Sequence, residues 1–350
     1  LGNNKNKKIP TIKEIAGKAK VSAGTVDRVL HNRGSVSEEN IKKVNKIIKE
    51  LGYTPNIYAR NLALNKKFVF ACLLPSPDNI EYWAGPLKGL SKGEEELSSL
   101  GITLKKYLFD VNDSDSFKKQ YKKILNSRCD GIITSPIDPL SIDFFQKCRE
   151  QNIPIVFVDS QIPGEKPLSF IGQDSFSGGY MAGRLMNYIT TEKKYLIINL
   201  NFKHSRQHHT FERIRGFCSF FNENKKGAEI TEISDLPISK VRNFLEEEIL
   251  NGNIPSGIFI PNSRASQIAS LLENINLKQR IRLIGFDLTE KNIDYLKKGF
   301  IQFLINQDPE KQGYLAIHTL YKNIVLKQEV PQHQLMPLNI VVKDNFNNYI

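Results

Sequence analysis

Residues 11–30 read TIKEIAGKAKVSAGTVDRVL, and the fold turns on how this stretch divides. Ile12, Ile15, Ala16 and Ala19 recur at helical spacing. Thr11 stands where an N-cap belongs, and Glu14 three residues on completes a capping-box pattern. Lys20-Val21 interrupts, and Ser22 is placed to cap a second short helix, Ala23 to Leu30, burying Val26, Val29 and Leu30. Two short helices so closely spaced form a helix-turn-helix unit, whose second helix fits a major groove. His31-Asn32-Arg33-Gly34 breaks that helix. Ser37 caps a third, Glu38 to Leu51, with Ile41, Val44, Ile47, Ile48 and Leu51 on one side and Gly52 closing it.

Charge is uneven outward from this stretch. The 350-residue chain carries a net +12, yet residues 1–67 hold 15 Lys/Arg against 5 Asp/Glu, and the remainder 34 against 32. A basic module beside a nearly neutral one predicts a polyanion partner for the first only. The alternative is a generic three-helix bundle with a solvated basic face; the pattern favours DNA binding over it. Hydrophobic residues at 40% and charged residues at 25% are ordinary for a soluble globular protein. No run approaches eighteen apolar residues, so no membrane partner is expected. Residues 1–8 are Asn/Lys-rich without an apolar stretch and read as a disordered lead-in, not a secretion signal. Cys72, Cys129, Cys148 and Cys218 stand far apart, as reduced thiols in a cytoplasmic protein would.

From Phe68 onward short apolar runs alternate with amphipathic stretches. Strands are predicted at 68–74, 103–109, 131–135, 154–159, 195–201, 229–234, 257–261, 282–287 and 300–305. Helices are predicted at 87–100, 117–125, 142–150, 178–189, 240–250 and 265–272. This alternation predicts doubly wound parallel sheets with helices on both faces, in two lobes if the sheet splits near Gln173. Ligands in such sheets sit beyond the carboxyl ends of strands. Asn79, Tyr82, Trp83, Asp159, Asn262, Asp287 and Gln307 gather there. Aromatic faces with carboxylates and amides suit a polyhydroxylated ring, although a strand-end Asp is equally often a helix cap. Between the two parts, 56–64 reads as a helix too short to be stable alone.

The runs Thr11 to Ala16, Val21 to Leu30, Val36 to Glu39 and Glu50 to Asn56 together resemble the headpiece of the LacI/GalR repressor family, without a gap over some fifty residues. From Phe68 on, the chain is similar to that family's effector domain and to ribose-type periplasmic sugar-binding proteins. The segments 130–133, 153–156, 178–184 and 307–314 carry that likeness. The resemblance implies an all-α helix-turn-helix headpiece followed by an α/β two-lobed periplasmic-binding-protein-like domain. It divides the chain into a headpiece at 9–54, a hinge helix and linker at 55–67, and a core at 68–350. Within the core the N-lobe is about 68–173 and 308–335, and the C-lobe about 174–307 and 336–350. It further implies a homodimeric repressor on a near-palindromic operator, controlled by a small sugar-like effector.

Carried over by position, Thr11, Ser22 and Thr25 contact phosphates and Arg28 reads guanine. Ala23 and Gly24 occupy places where many relatives carry longer base-reading side chains, and Asp27 replaces the commoner Ser. Asn32, Asn56 and Ala59 join the DNA-contacting set, and Leu62 matches the leucine that wedges a base step. The sugar-contacting Arg expected before Gly216-Phe217 aligns with Phe211, with Arg213 and Arg215 nearby.

Two rival readings remain at this point. An enzyme needs a nucleophile with its base, a metal cluster or a phosphate loop, and no such motif is found, so neither catalytic residue, metal nor cofactor is expected. His204 with His208 and His209 could ligate a metal if helical, but reads as a polar loop beside the cleft, solvated or cleft-lining. Asp110, Asp113 and Asp115 read as a solvated loop and helix cap. A binding protein that only captures solute would lack the basic headpiece.

Overall fold

The computed structural model describes residues 10–30, 34, 36–53, 66–136, 141–200, 208–224, 227–275 and 281–349. The expected lead-in and hinge helix, together with Asn32, Asn56, Ala59, Leu62 and His204, lie outside them. The chain forms two compact units, Leu1–Asn65 and Lys66–Ile350.

In the first unit, Ile12–Ala19 (α1) starts with the expected capping box: Thr11 Oγ1 accepts from Glu14 N at 3.3 Å, and the Glu14 carboxylate accepts from Thr11 N at 2.8 Å. Lys20, left-handed at φ 56°, ends it. Ala23–Leu30 (α2) follows, with Ser22 Oγ accepting from Thr25 N at 3.1 Å. Glu38–Leu51 (α3) is capped by Ser37 and stopped by left-handed Gly52. Helices of eight residues depend on packing for stability. Here Ile15, Ala16, Ala19, Val26, Val29 and Val44 form the shared core, rimmed by Leu30, Ile47, Ile48 and Leu51. Ile41, expected on the inner face, is 37% exposed; so small a unit has too little interior to cover every apolar position.

The second unit contains two six-stranded sheets. One comprises Phe68–Pro75 (β1), Ile102–Phe109 (β2), Gly131–Thr134 (β3), Ile155–Val158 (β4), Ser169–Gly172 (β5) and His333–Leu335 (β11), in the order β11-β5-β4-β3-β1-β2. The other comprises Lys194–Asn199 (β6), Glu229–Ser234 (β7), Gly257–Phe259 (β8), Arg282–Phe286 (β9), Phe303–Asn306 (β10) and Asn339–Val341 (β12), in the order β12-β10-β9-β8-β6-β7. Only the β10–β12 pairing is antiparallel among the described strands. Strands β3, β4, β8 and most of β1 are buried along their length, as central parallel strands covered on both faces must be. The chain passes between sheets after β5, after β10 and after β11. At these crossings the Gln173 amide donates to the carbonyls of Asn306 at 2.9 Å and Pro337 at 2.8 Å.

The faces are covered by Ala84–Ser98 (α4), Ser114–Leu125 (α5), Ser141–Glu150 (α6), Ser175–Ile189 (α7), His208–Asn224 (α8), Ile238–Leu250 (α9), Ala265–Asn274 (α10), Glu290–Lys298 (α11) and Pro309–Leu320 (α12). Asp113 caps α5 through Asp115 N at 2.9 Å, the capping role expected of that acidic loop. Strands β5, β11 and β12 and helices α8, α11 and α12 have no counterpart in the sequence-based set. The three strands span four residues or fewer, too short for a periodic signal, and α8 opens on a run of polar and charged residues. Two helix pairs meet backbone to backbone. A Cβ at Gly179 on α7 would strike the Arg213 carbonyl on α8, and one at Gly216 would strike the Phe176 carbonyl. Gly89 and Gly313 let α4 and α12 close in the same way, against the carbonyls of Glu310 and Pro86.

Candidate functional site

In the headpiece, Thr11, Ser22, Ala23, Gly24 and Arg28 are exposed and Thr25 is half-buried. The Ser22 and Thr25 hydroxyls share a hydrogen bond of 2.9 Å at the start of α2. The first turns of α1 and α3 contain Glu14 and Glu38 with Glu39, whereas that of α2 has no acidic residue. The partial positive charge at the α2 start is therefore uncancelled, in a unit already rich in Lys and Arg, which suits a phosphate oxygen. Asp27 is half-buried and near Tyr53, whose phenol is pushed up first by burial and then by this carboxylate.

In the core, two aspartates end corresponding strands of the two sheets. Asp159 follows β4 and Asp287 follows β9; both are left-handed, at φ 65° and 68°, and both are buried. That conformation costs a non-glycine residue about 1 kcal/mol or more, and strain of this kind concentrates at functional sites. Asn292, fully buried on α11, holds the second turn: its amide donates to the carbonyls of Ser263, Phe286 and Asp287, each at 3.0 Å.

Around the carboxylates, Tyr82 Oη donates to Asp159 Oδ1 at 2.9 Å, and Gln307 Nε2 donates to Asp287 Oδ1 at 2.9 Å. Arg213 of α8 is 1% exposed, places its guanidinium carbon 3.8 Å from the centre of the Phe286 ring and donates through Nη1 to the Pro261 carbonyl at 3.0 Å. Its Nε and Nη2 have no hydrogen-bond partner among the described residues, nor do His209 Nδ1, Gln173 Oε1 and Gln307 Oε1, all buried. His209 Nδ1 faces Asp159 Oδ2 across the lobes at 3.8 Å. Unpaired buried donors and acceptors cost about 1–3 kcal/mol each, so a set of them converging in one cleft marks a place for a hydrogen-bonding ligand.

Burial pushes the Asp287 carboxyl up to about 7, against Arg213 and the Gln307 hydrogen bond, which pull it down. Burial also brings His209 down to about 4, against the opposing pull of Asp159. The signs then oppose. A raised carboxyl contributes stability that is present at low pH and lost as pH rises from about 4 to about 7. A depressed imidazole contributes stability that grows with pH between about 4 and 6.5. Above pH 6.5 the His209 contribution no longer changes while Asp287 is still passing through its folded value of about 7, so the ligand-free melting temperature is expected to fall as pH rises through 7, and Asp287→Asn is expected to flatten that fall. Thermal scans at several pH values measure both; an unchanged slope in the variant would take Asp287 out of the titration.

The predicted ligand residues are not all in the same situation. Tyr82, Asp159, Asp287 and Gln307 form this hydrogen-bonded group. Trp83, 2% exposed, packs edge-on to Tyr82 at 5.1 Å. Asn79 is half-buried in the loop before it. Asn262 donates through Nδ2 to the Leu200 carbonyl beyond β6 at 3.2 Å, and its Oδ1 accepts from Arg264 N in its own loop at 3.2 Å. Phe211 is 61% exposed, and two residues on, the buried Arg213 feels the charge of Asp287 and then Asp159. His209 and Arg213 were not among the predicted ligand residues. The signal that could have found them is the helical spacing of Arg213 with Phe217, Phe220 and Phe221, which fixes the inner face of α8.

The periplasmic binding protein domain family matches residues 70–328, and the lacI family of bacterial regulatory proteins matches residues 11–56. The sucrose operon repressor of Streptococcus mutans is 27% identical over 346 residues, covering 95% of this chain and 98% of its own. The ribose operon repressor of Lactococcus lactis is 26% identical over 348 residues, covering 95% and 97%. A crystal structure described as a LacI transcriptional regulator from Bacteroides fragilis superposes with a TM-score of 0.74 at 28% identity, covering 81% of this chain and 100% of its own. Headpiece, sheet topology and these matches agree: the chain belongs to the LacI family of regulators, with a periplasmic-binding-protein-like core behind its DNA-binding headpiece.

Proposed function

We propose that this protein is a cytoplasmic, homodimeric transcription repressor whose affinity for a near-palindromic operator is set by a small, sugar-like ligand in the interlobe cleft. The observation that carries the reading is the pairing, in one chain, of an α2 start free of acidic residues in a strongly basic unit with a cleft of unsatisfied buried donors and acceptors. Thr11, Ser22 and Thr25 hold phosphates and Arg28 reads a base, while Ala23 and Gly24 let the helix approach closely. Asn32, Asn56, Ala59 and Leu62 complete the contact, the last as a wedge. Two-fold symmetry makes two half-site contacts act as one.

In the core, Asp159, Arg213, Asp287 and Gln307 take the ligand's hydroxyls, and Tyr82, Trp83 and Asn79 wall the site. The two curated relatives named above are repressors of sugar operons and match along nearly the whole chain, which supports an effector of that class and a regulator rather than an enzyme. Coupling between the two sites is reciprocal, so a ligand that weakens DNA binding is itself bound less well by the DNA complex. The test is a gel-shift assay on fragments from the promoter region of its own gene, with and without sugars. A retarded band at low salt whose intensity changes with one sugar is expected; indifference to every DNA sequence at low salt would end the reading.

A further inference from the structure

Next to the buried carboxylates lies a larger space. A cavity of about 570 Å³ is lined along α4 from Ala84 to Glu96, by the first turns of α12, by the segment leading into α11 and by Tyr349. Tyr82 and Asp287 line it too, so it is continuous with the inner group of polar residues. Its volume falls within the roughly 300–1,000 Å³ of small-ligand sites.

Its chemistry alternates flat apolar surface with hydrogen-bonding groups. Tyr314, Tyr349, Pro309 and Leu288 supply the first, and Asn306 and Thr289 supply part of the second. Along its wall the carboxylates of Glu81, Glu96, Asp308 and Glu310 outnumber the ammonium groups of Lys88, Lys92 and Lys311. Lys88 pairs with Glu310 at 2.8 Å, and the Glu81 carboxylate accepts from the backbone N–H of Glu290 at the start of α11. Lys92 lies over the Tyr314 ring, whose hydroxyl donates to Glu96 at 2.7 Å. A lining in which carboxylates outnumber cations favours a neutral occupant over an anion, which they would repel.

We propose that this cavity is an outer subsite for a second sugar ring, so that the effector is a neutral disaccharide or longer saccharide. Its first ring lies among Tyr82, Asp159, Arg213 and Asp287. The inference rests on the sugar-effector reading above and extends it. The second ring stacks on the tyrosines and touches both lobes, and so draws them together more firmly than a single ring does.

The experiment is calorimetric titration of the full chain with glucose, galactose, fructose and ribose beside sucrose, maltose, lactose and cellobiose. It is repeated on Ala84→Trp, which fills the cavity from an exposed position in the first turn of α4, and on Tyr314→Ala, which removes an aromatic wall. A disaccharide is expected to bind at least about tenfold more tightly than any of the four monosaccharides. Either variant is expected to erase that gain while leaving monosaccharide affinity within about twofold. Monosaccharide binding with no gain for any disaccharide, or a gain that survives in both variants, overturns the outer subsite alone. Binding of none of the eight sugars overturns the sugar-effector reading and the subsite with it.

Discussion

Replacing Asp287 by alanine is expected to abolish the ligand response of operator binding while leaving operator affinity itself within about twofold. The Asp287 carboxylate accepts from Gln307 and stabilises the buried Arg213 guanidinium, which otherwise has only a carbonyl on Nη1. Removing it takes away an acceptor for the ligand and leaves two donors less well matched. A hydrogen bond to a charged group is worth about 1.5–3 kcal/mol, so a loss of ligand affinity of about 10- to 150-fold follows from that contact alone. Misplacement of Arg213 adds to it. Titration calorimetry gives the affinity and a gel shift across a ligand series gives the response. A preserved dose–response would remove Asp287 from the site. Asp287→Asn, which keeps the shape and loses the charge, separates hydrogen bonding from electrostatics.

Removal of residues 1–65 is expected to eliminate DNA binding and leave sugar binding unaltered, since the chain divides into compact units at that boundary and most of the excess positive charge lies before it. For the intact chain the dependence on salt is the more telling number. A protein that neutralises about 6–10 phosphates loses about 10³- to 10⁵-fold in affinity between 50 and 200 mM salt. A steep fall of this kind in the intact chain, with no measurable binding in the truncated one, is the expected pair of results. Equal DNA affinity in the two would place the nucleic-acid contact in the core and refute the assignment of α2. Arg28→Ala should act more selectively, with a loss of about 1–3 kcal/mol concentrated on one base position of the operator.

The headpiece was largely legible in the sequence because its signals are local. Thr11 with Glu14, Ser22, Ser37 and Gly52 act within four residues of themselves, and each does in the structure what its spacing predicts. The parallel strands were legible because buried strands are continuous apolar runs. What escaped were elements whose identity comes from pairing partners far away. His333-Gln334-Leu335 is a strand only because β5 lies beside it, 161 or more residues earlier in sequence. The cleft divides along the same line. Asp159 and Asp287 were visible as strand-end residues, and Tyr82 and Gln307 as residues that follow strands. Arg213 was not, because its presence there depends on how closely α8 approaches α7, and Gly179 and Gly216 set that distance from two separate segments.

Those glycines bear on how the core can move. Where two helices touch through their main chains, hard backbone contact fixes their separation and leaves little room for the pair to slide. Each lobe then behaves as a stiff plate with one such seam, α4 with α12 in the first and α7 with α8 in the second. Bending is confined to the three connecting strands laced by Gln173, and a ligand that pulls the plates together delivers its whole displacement to the far edge instead of losing it as internal deformation.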